Sequence, residues 1–253
     1  ENSTIELLLD DPDKTVEPTE TFYKSLTFTG TGTLKYDIYG WRYNGNLTFD
    51  GPNVALNCTT TSNAKAADNG EAGEWFIMVL NGSLNFTNGA KGTFSFDSKI
   101  SHGNEVTNCA IYTNDNATCT INVSKGSSLK IWGSNTKGVN GQGIQLGRTS
   151  NSGIFVTDKS TFLIDGTNRG YVNSPAIYVE DSTFTVQNCT ANASNGGKFT
   201  ATKGSTITYQ NNAGHGLSAG EVTIEGSKFT ADNNGYYGLY ASSGFNVDST
   251  STV

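Results

Sequence analysis

Helix-building text is almost missing from this chain. A single Met and few runs rich in Ala, Leu, Glu or Lys stand beside a large excess of Thr, Ser, Asn and Gly. Thr, Val, Ile, Phe and Tyr suit pleated strands, while Asn and Gly suit tight turns with positive φ. The composition therefore predicts an all-β chain with many turns. Positive charge is sparse too: the only arginines are Arg42, Arg148 and Arg169, and the formal net charge is −7. A nucleic-acid surface needs clustered Lys and Arg, so that class of partner is set aside. Acidic polysaccharides fit such a surface poorly unless a cation bridges them. Long apolar runs are also lacking. No segment approaches the ~20 apolar residues of a membrane span. No signal peptide is legible, since Leu7-Leu8-Leu9 is a short run inside an acidic stretch.

Cysteine is scarce in proportion. Cys58, Cys109, Cys119 and Cys189 are too few for a disulfide scaffold in 253 residues. Cys109 and Cys119 flank a polar turn, Asn114-Asp115-Asn116. Two readings stand: a local disulfide, or small buried residues filling an interior.

What the chain does have is a recurring motif, a small or hydroxyl residue followed by two apolar residues on either side of a polar one. It reads Gly32-Thr33-Leu34-Lys35-Tyr36, Gly45-Asn46-Leu47-Thr48-Phe49 and Gly82-Ser83-Leu84-Asn85-Phe86. Later copies begin at Ser128, Thr161, Thr183, Thr206 and Lys228. The anchors Phe162, Phe184, Ile207 and Phe229 lie 22 or 23 residues apart. A fixed period in that range marks stacked repeats, each too small to bury its apolar face alone. Every unit holds three short alternating strands separated by Gly, Ser or Asn, and alternation puts one face of each strand inward. Three strands per turn of about 22 residues is the layout of a parallel β-helix, with coils about 4.8 Å apart. Asn211 and Asn233 suit a left-handed bend and a coil-to-coil ladder, and Gly214 and Gly235 share nearly the same spacing. The step from Leu129 to Phe162 is 33 residues, so extra chain intervenes there. Residues 59–74 and 97–108 read as inserted loops. Residues 1–25, acidic and carrying Pro12 and Pro18, read as an N-terminal cap or leader. Residues 26–253 read as the β-helix, and Phe245-Asn246-Val247-Asp248 restarts the pattern of Val222-Thr223-Ile224, as expected of a piece of a longer protein.

Val222-Thr223-Ile224, Ser227, Phe229, Asn233-Asn234-Gly235 and Gly238-Leu239 carry a family resemblance. The chain resembles the right-handed parallel β-helix, or pectin-lyase-like, superfamily, in particular the repeat-rich surface and adhesin-like proteins of bacteria and some archaea. The resemblance covers residues 120–253 well and the earlier half loosely. It implies a right-handed solenoid and no particular activity, because fold does not fix function.

Three sets of residues are candidates for chemistry. Gly214-His215-Gly216 is similar to the Gly-His-Gly of polygalacturonase-like hydrolases, which also carry Asn-Thr-Asp and Asp-Asp upstream and Arg-Ile-Lys downstream. Here the one Asp-Asp pair is Asp10-Asp11 in the expected cap, and no Arg follows Arg169. Glycoside hydrolysis needs two carboxyls flanking the scissile bond, and that pair is not evident. Pectate-lyase-like chemistry would want calcium on clustered acids with an arginine base; Asp158, Asp165, Asp181, Arg148 and Arg169 are the material for it. The third set is the aromatic run from Tyr36 to Tyr43. With Leu34, Tyr36 and Ile38 inward, Tyr39, Trp41 and Tyr43 line the outer side and can stack on sugars or anchor a protein, unless the cap covers them. Tyr236, Tyr237 and Tyr240 form a smaller cluster.

Nine Asn-x-Ser/Thr triplets occur among 28 Asn and 58 Ser plus Thr, against roughly six by chance, so their number does not argue for glycosylation. The sequence reading is thus a non-catalytic cell-surface or secreted module, adhesin-like, binding a glycan or host protein or acting as a stalk. The alternative is a polysaccharide lyase or glycoside hydrolase of the same fold. No cofactor is called for in the first case; calcium belongs to the second.

Overall fold

The computed structural model describes residues 3–7, 21–22, 25–36, 41–60, 76–96, 108–113, 117–133, 141–147 and 149–253. These residues contain no helix and form one 19-stranded sheet. Every pairing between its strands is parallel. Parallel neighbours need a long connection, and here the connection is one repeat. Thr183–Gln187 pairs with Thr206–Gln210, which pairs in turn with Lys228–Asp232. The chain is a stack of coils, as in a β-solenoid.

The alternation written in the sequence decides which side of each strand is buried. In Thr161–Asp165, Thr183–Gln187 and Thr206–Gln210 the second and fourth residues are buried and the others face outward. Phe162, Phe184, Ile207 and Phe229 form one buried column in direct register. Equivalent aromatics one coil apart stack offset at the strand spacing. Phe28, Phe49 and Phe86 do so at 5.1 and 5.3 Å, and Phe162 and Phe184 at 5.0 Å.

The recurring motif separates into two columns. Leu47 and Phe49 pair with Leu84 and Phe86, and with Leu26 and Phe28 on the other side. The Gly32–Tyr36 copy pairs instead with Val54–Cys58. That column continues through Lys91–Ser95 and Ser128–Trp132 to Thr161–Asp165. Every strand of a coil needs the same alternation, so the motif alone does not say which column a copy joins. Longer coils keep register: Leu47 meets Leu84 and Leu129 meets Phe162. The extra residues of the expected inserted loops lie almost wholly outside the described residues. Ser3–Leu7 pairs with Gly32–Tyr36, and Thr21–Phe22 with Arg42 and Tyr43. Part of the expected cap segment therefore joins the stack, and the rest lies outside the described residues.

Turns are columns too. Gly166, Asn188, Asn211 and Asn233 follow successive five-residue strands with φ of 70°, 56°, 55° and 50°, a conformation that Gly and Asn adopt at least cost. Asn233 Nδ2 donates to Asn211 Oδ1 at 2.9 Å, the ladder expected from their spacing. Gly214 and Gly235, in contrast, occupy adjacent columns. A Cβ on Gly235 would lie 2.1 Å from the Ala213 carbonyl oxygen, and one on Gly214 would lie 2.1 Å from Asn192 Oδ1.

All four cysteines are free and buried. Cys109 and Cys119 are therefore not bonded to each other, and the core-filling reading holds. Burial pushes the thiols of Cys58, Cys109 and Cys119 up, and that of Cys189 up to about 12. The thiolate is the reactive form. Native protein at pH 8 is expected to react with less than one equivalent of Ellman's reagent over an hour, and with four in denaturant. Rapid native labelling of two or more thiols would contradict this packing.

Candidate functional site

Large aromatic side chains exposed on the outside of the stack are few among the described residues. Trp132 is 51% exposed, Tyr236 74%, Tyr237 62%, Tyr240 47% and Phe245 49%. The tyrosines form one platform because two consecutive turns stack in register. Gly216 N donates to the Tyr237 carbonyl at 2.9 Å, and Tyr236 N to the Gly214 carbonyl at 3.2 Å. That register sets Tyr237 one coil beyond His215, and Tyr237 N donates to His215 Nδ1 at 3.3 Å. The imidazole lies 5.3 Å from the Tyr237 ring at an interplanar angle of 11°, and 5.4 Å from Tyr236 at 40°. Tyr240, opposite Ser218 in the adjoining strand, extends the stack at 5.9 Å from Tyr237. His215 is fixed from below as well, its backbone N donating to Asn192 Oδ1 at 3.0 Å. With Nδ1 accepting, the ring proton belongs to Nε2. The result is a row of flat rings with hydroxyl and N–H groups at their edges, suited to stacking on the apolar face of a sugar or against an apolar side chain.

The expected aromatic strip is different. Tyr43 is fully buried in the core, its hydroxyl donating to the Asn46 carbonyl at 3.4 Å. That corrects its outward assignment. The physical reason is a break in phase: one strand ends at Tyr36 and the next begins at Trp41, so alternation counted from Leu34 does not carry across. Tyr39 lies outside the described residues. Trp41 pairs through its backbone with Met78, and its side chain lies outside the described residues.

The acidic candidates do not converge. Asp165 accepts hydrogen bonds from Gln187 Nε2 and Asn188 Nδ2 at 3.0 and 2.7 Å. Asp158 accepts from Thr157 Oγ1 at 3.1 Å, and Asp181 sits in a left-handed turn. No group of three or more His, Cys, Asp or Glu is placed to hold a metal ion among the described residues. Asp10, Asp11 and Arg148 lie outside them, and Arg169 opens the strand Arg169–Glu180. His215 has aromatic rings and backbone around it.

Two features went unread in the sequence. Trp132, with Lys130 Nζ 5.6 Å from its ring, stands on the outer face of the five-residue strands. Glu180 is tied to Lys203 at 2.8 Å and accepts from the Tyr178 hydroxyl. The Lys203 hydrogen bond holds the Glu180 carboxyl below its usual range, with the tyrosine adding to it. Comparison with known families, with curated proteins and with solved structures returns no match.

Proposed function

We propose that this chain is a rigid, non-catalytic module of a secreted or cell-surface protein, adhesin-like, that binds a glycan or a glycosylated host protein. The observation that carries the reading is the stacked platform of His215, Tyr236, Tyr237 and Tyr240 on the outside of the solenoid. Such a patch brings apolar area and hydrogen-bonding edges on side chains already held in place, which lowers the ordering cost of binding. The fold read with it is a right-handed, pectin-lyase-like β-helix with three strand faces per coil. Register breaks within Arg169–Glu180, between Val172 and Ser174, and within Leu217–Ile224, between Ala219 and Glu221, support a corner inside each long strand. The general hand of parallel crossovers supports the right-handed sense.

The test is an array of glycans and mucins in which bound protein and released sugar are read in the same wells, with and without calcium. Binding without cleavage is expected, and Tyr237→Ala is expected to weaken it at least tenfold while leaving the far-ultraviolet spectrum unchanged. New reducing ends or unsaturated products would overturn the non-catalytic reading. Unchanged binding by the variant would remove the platform from it.

A further inference from the structure

The outer face of the five-residue strands carries a second arrangement, remote in sequence from the tyrosine platform. Trp132, Asp165, Gln187, Gln210 and Asp232 are register partners on five successive coils. At the strand spacing they span about 19 Å along the stack. Three of them are locked into a chain of hydrogen bonds: Gln210 Nε2 donates to Gln187 Oε1 at 2.8 Å, and Gln187 Nε2 to Asp165 Oδ2 at 3.0 Å. Asn188 Nδ2 ties the other oxygen of Asp165 at 2.7 Å. Beside this column Leu163, Thr185, Thr208 and Thr230 stand in the same register, with three short threonines after the leucine. At one end stands the exposed indole of Trp132, with the Lys130 ammonium over its ring.

We infer that this strip, from Trp132 to Asp232, is a binding site for a neutral, extended, β-linked polysaccharide lying along the solenoid axis. The inference rests on the reading of the chain as a non-catalytic glycan binder. The coil spacing of about 4.8 Å is close to the advance per hexose in an extended β-linked chain, so successive sugars stay in step with successive coils and alternate sugars present the same edge to the strip. Amide and carboxylate groups suit sugar hydroxyls as partners, and their mutual hydrogen bonds fix them before the ligand arrives. The indole offers a stacking surface for one sugar ring. Asp165 and Asp232 set the charge preference: two carboxylates in the column repel a uronic-acid polymer.

The test uses cellobiose, cellotetraose and cellohexaose titrated by calorimetry into the full chain, with polygalacturonate as the acidic comparator. Affinity is expected to rise at least tenfold from the dimer to the hexamer, with polygalacturonate not competing. Trp132→Ala and Gln210→Ala, both outward-facing, are each expected to lose tenfold or more for cellohexaose, while Lys198→Ala, an exposed side chain outside both sites, binds it as the parent does. Equal binding by Trp132→Ala and the parent, no dependence on length, or preference for polygalacturonate would overturn the strip. Loss confined to Tyr237→Ala would overturn the strip and leave the platform standing. No binding of any cello-oligosaccharide would overturn the strip as stated, and a silent glycan array beside it would remove the broader reading as well.

Discussion

Phe184→Ala is expected to lower the unfolding free energy by about 3–5 kcal/mol. Phe184 is a junction of the core rather than one rung among equals. Its ring stacks on Phe162 at 5.0 Å and meets Tyr171 and Phe199 edge-on at 6.2 Å, with Tyr209 at 6.3 Å. Truncation removes the shared partner of four rings on four strands. The backbone cannot close over the void, because Thr183–Gln187 is hydrogen-bonded in register on both sides. The outward neighbour Thr185→Ala is the control and is expected within about 0.5 kcal/mol of the parent. Coils in a solenoid contact only their neighbours, so a weak rung also uncouples the two halves. All three tryptophans, Trp41, Trp75 and Trp132, precede the damaged coil. Urea unfolding followed by tryptophan fluorescence and by circular dichroism is therefore expected to coincide in the parent and to separate in Phe184→Ala. A loss below 1 kcal/mol would show that this core relaxes around the gap.

Strand phase was legible wherever the repeat was regular. Phe162, Phe184, Ile207 and Phe229 announce both period and inward side, and the structure buries all four. What alternation lacks is a label for which strand of the coil it describes, so copies at Gly32 and Gly45 look alike and belong to different columns. It also carries no memory across a break, which is why Tyr43 was assigned to the wrong side. The column Ser127, Ser160, Ser182, Ser205 and Ser227 has the same spacing as the apolar anchors and is buried. Ser182 Oγ accepts from Ser160 N at 3.1 Å, and Ser127 Oγ from Gly89 N at 3.1 Å. Its signal was present but hidden in a chain where serine is common. The tyrosines at 236, 237 and 240 were visible as a cluster. The part played by His215 was not, since it follows from turn stacking. Trp132, Asp165, Gln187 and Gln210 each stand four residues after the start of a motif copy, but as outward positions of unlike chemistry they carry no shared apolar signal that would single them out.

The two asparagines of one turn make the sharpest comparison of roles that the sequence writes identically. Asn212→Ala is expected to cost about 2–4 kcal/mol, whereas Asn211→Gly is expected to change stability by less than about 1 kcal/mol. Asn212 is 1% exposed. Its Oδ1 accepts from Cys189 N at 3.0 Å, and its Nδ2 donates to Asn234 Oδ1 at 2.8 Å and to the Val186 carbonyl at 3.3 Å. One side chain thus bridges the turns of three successive coils. Alanine would leave the Cys189 N–H and one end of the Asn234 amide without that partner in a buried place, and leaving such a group unpaired costs about 1–3 kcal/mol. Asn211 is exposed and left-handed, with φ of 55°, and its side chain accepts one bond from Asn233. Glycine keeps that conformation without strain and gives up only a solvent-facing bond. Thermal and urea unfolding of the two variants decide the matter. Similar losses for both would mean that the exposed Asn211–Asn233 bond holds the turn column as firmly as the buried amides do, and a loss confined to Asn212→Ala would mean that buried amides hold successive coils together.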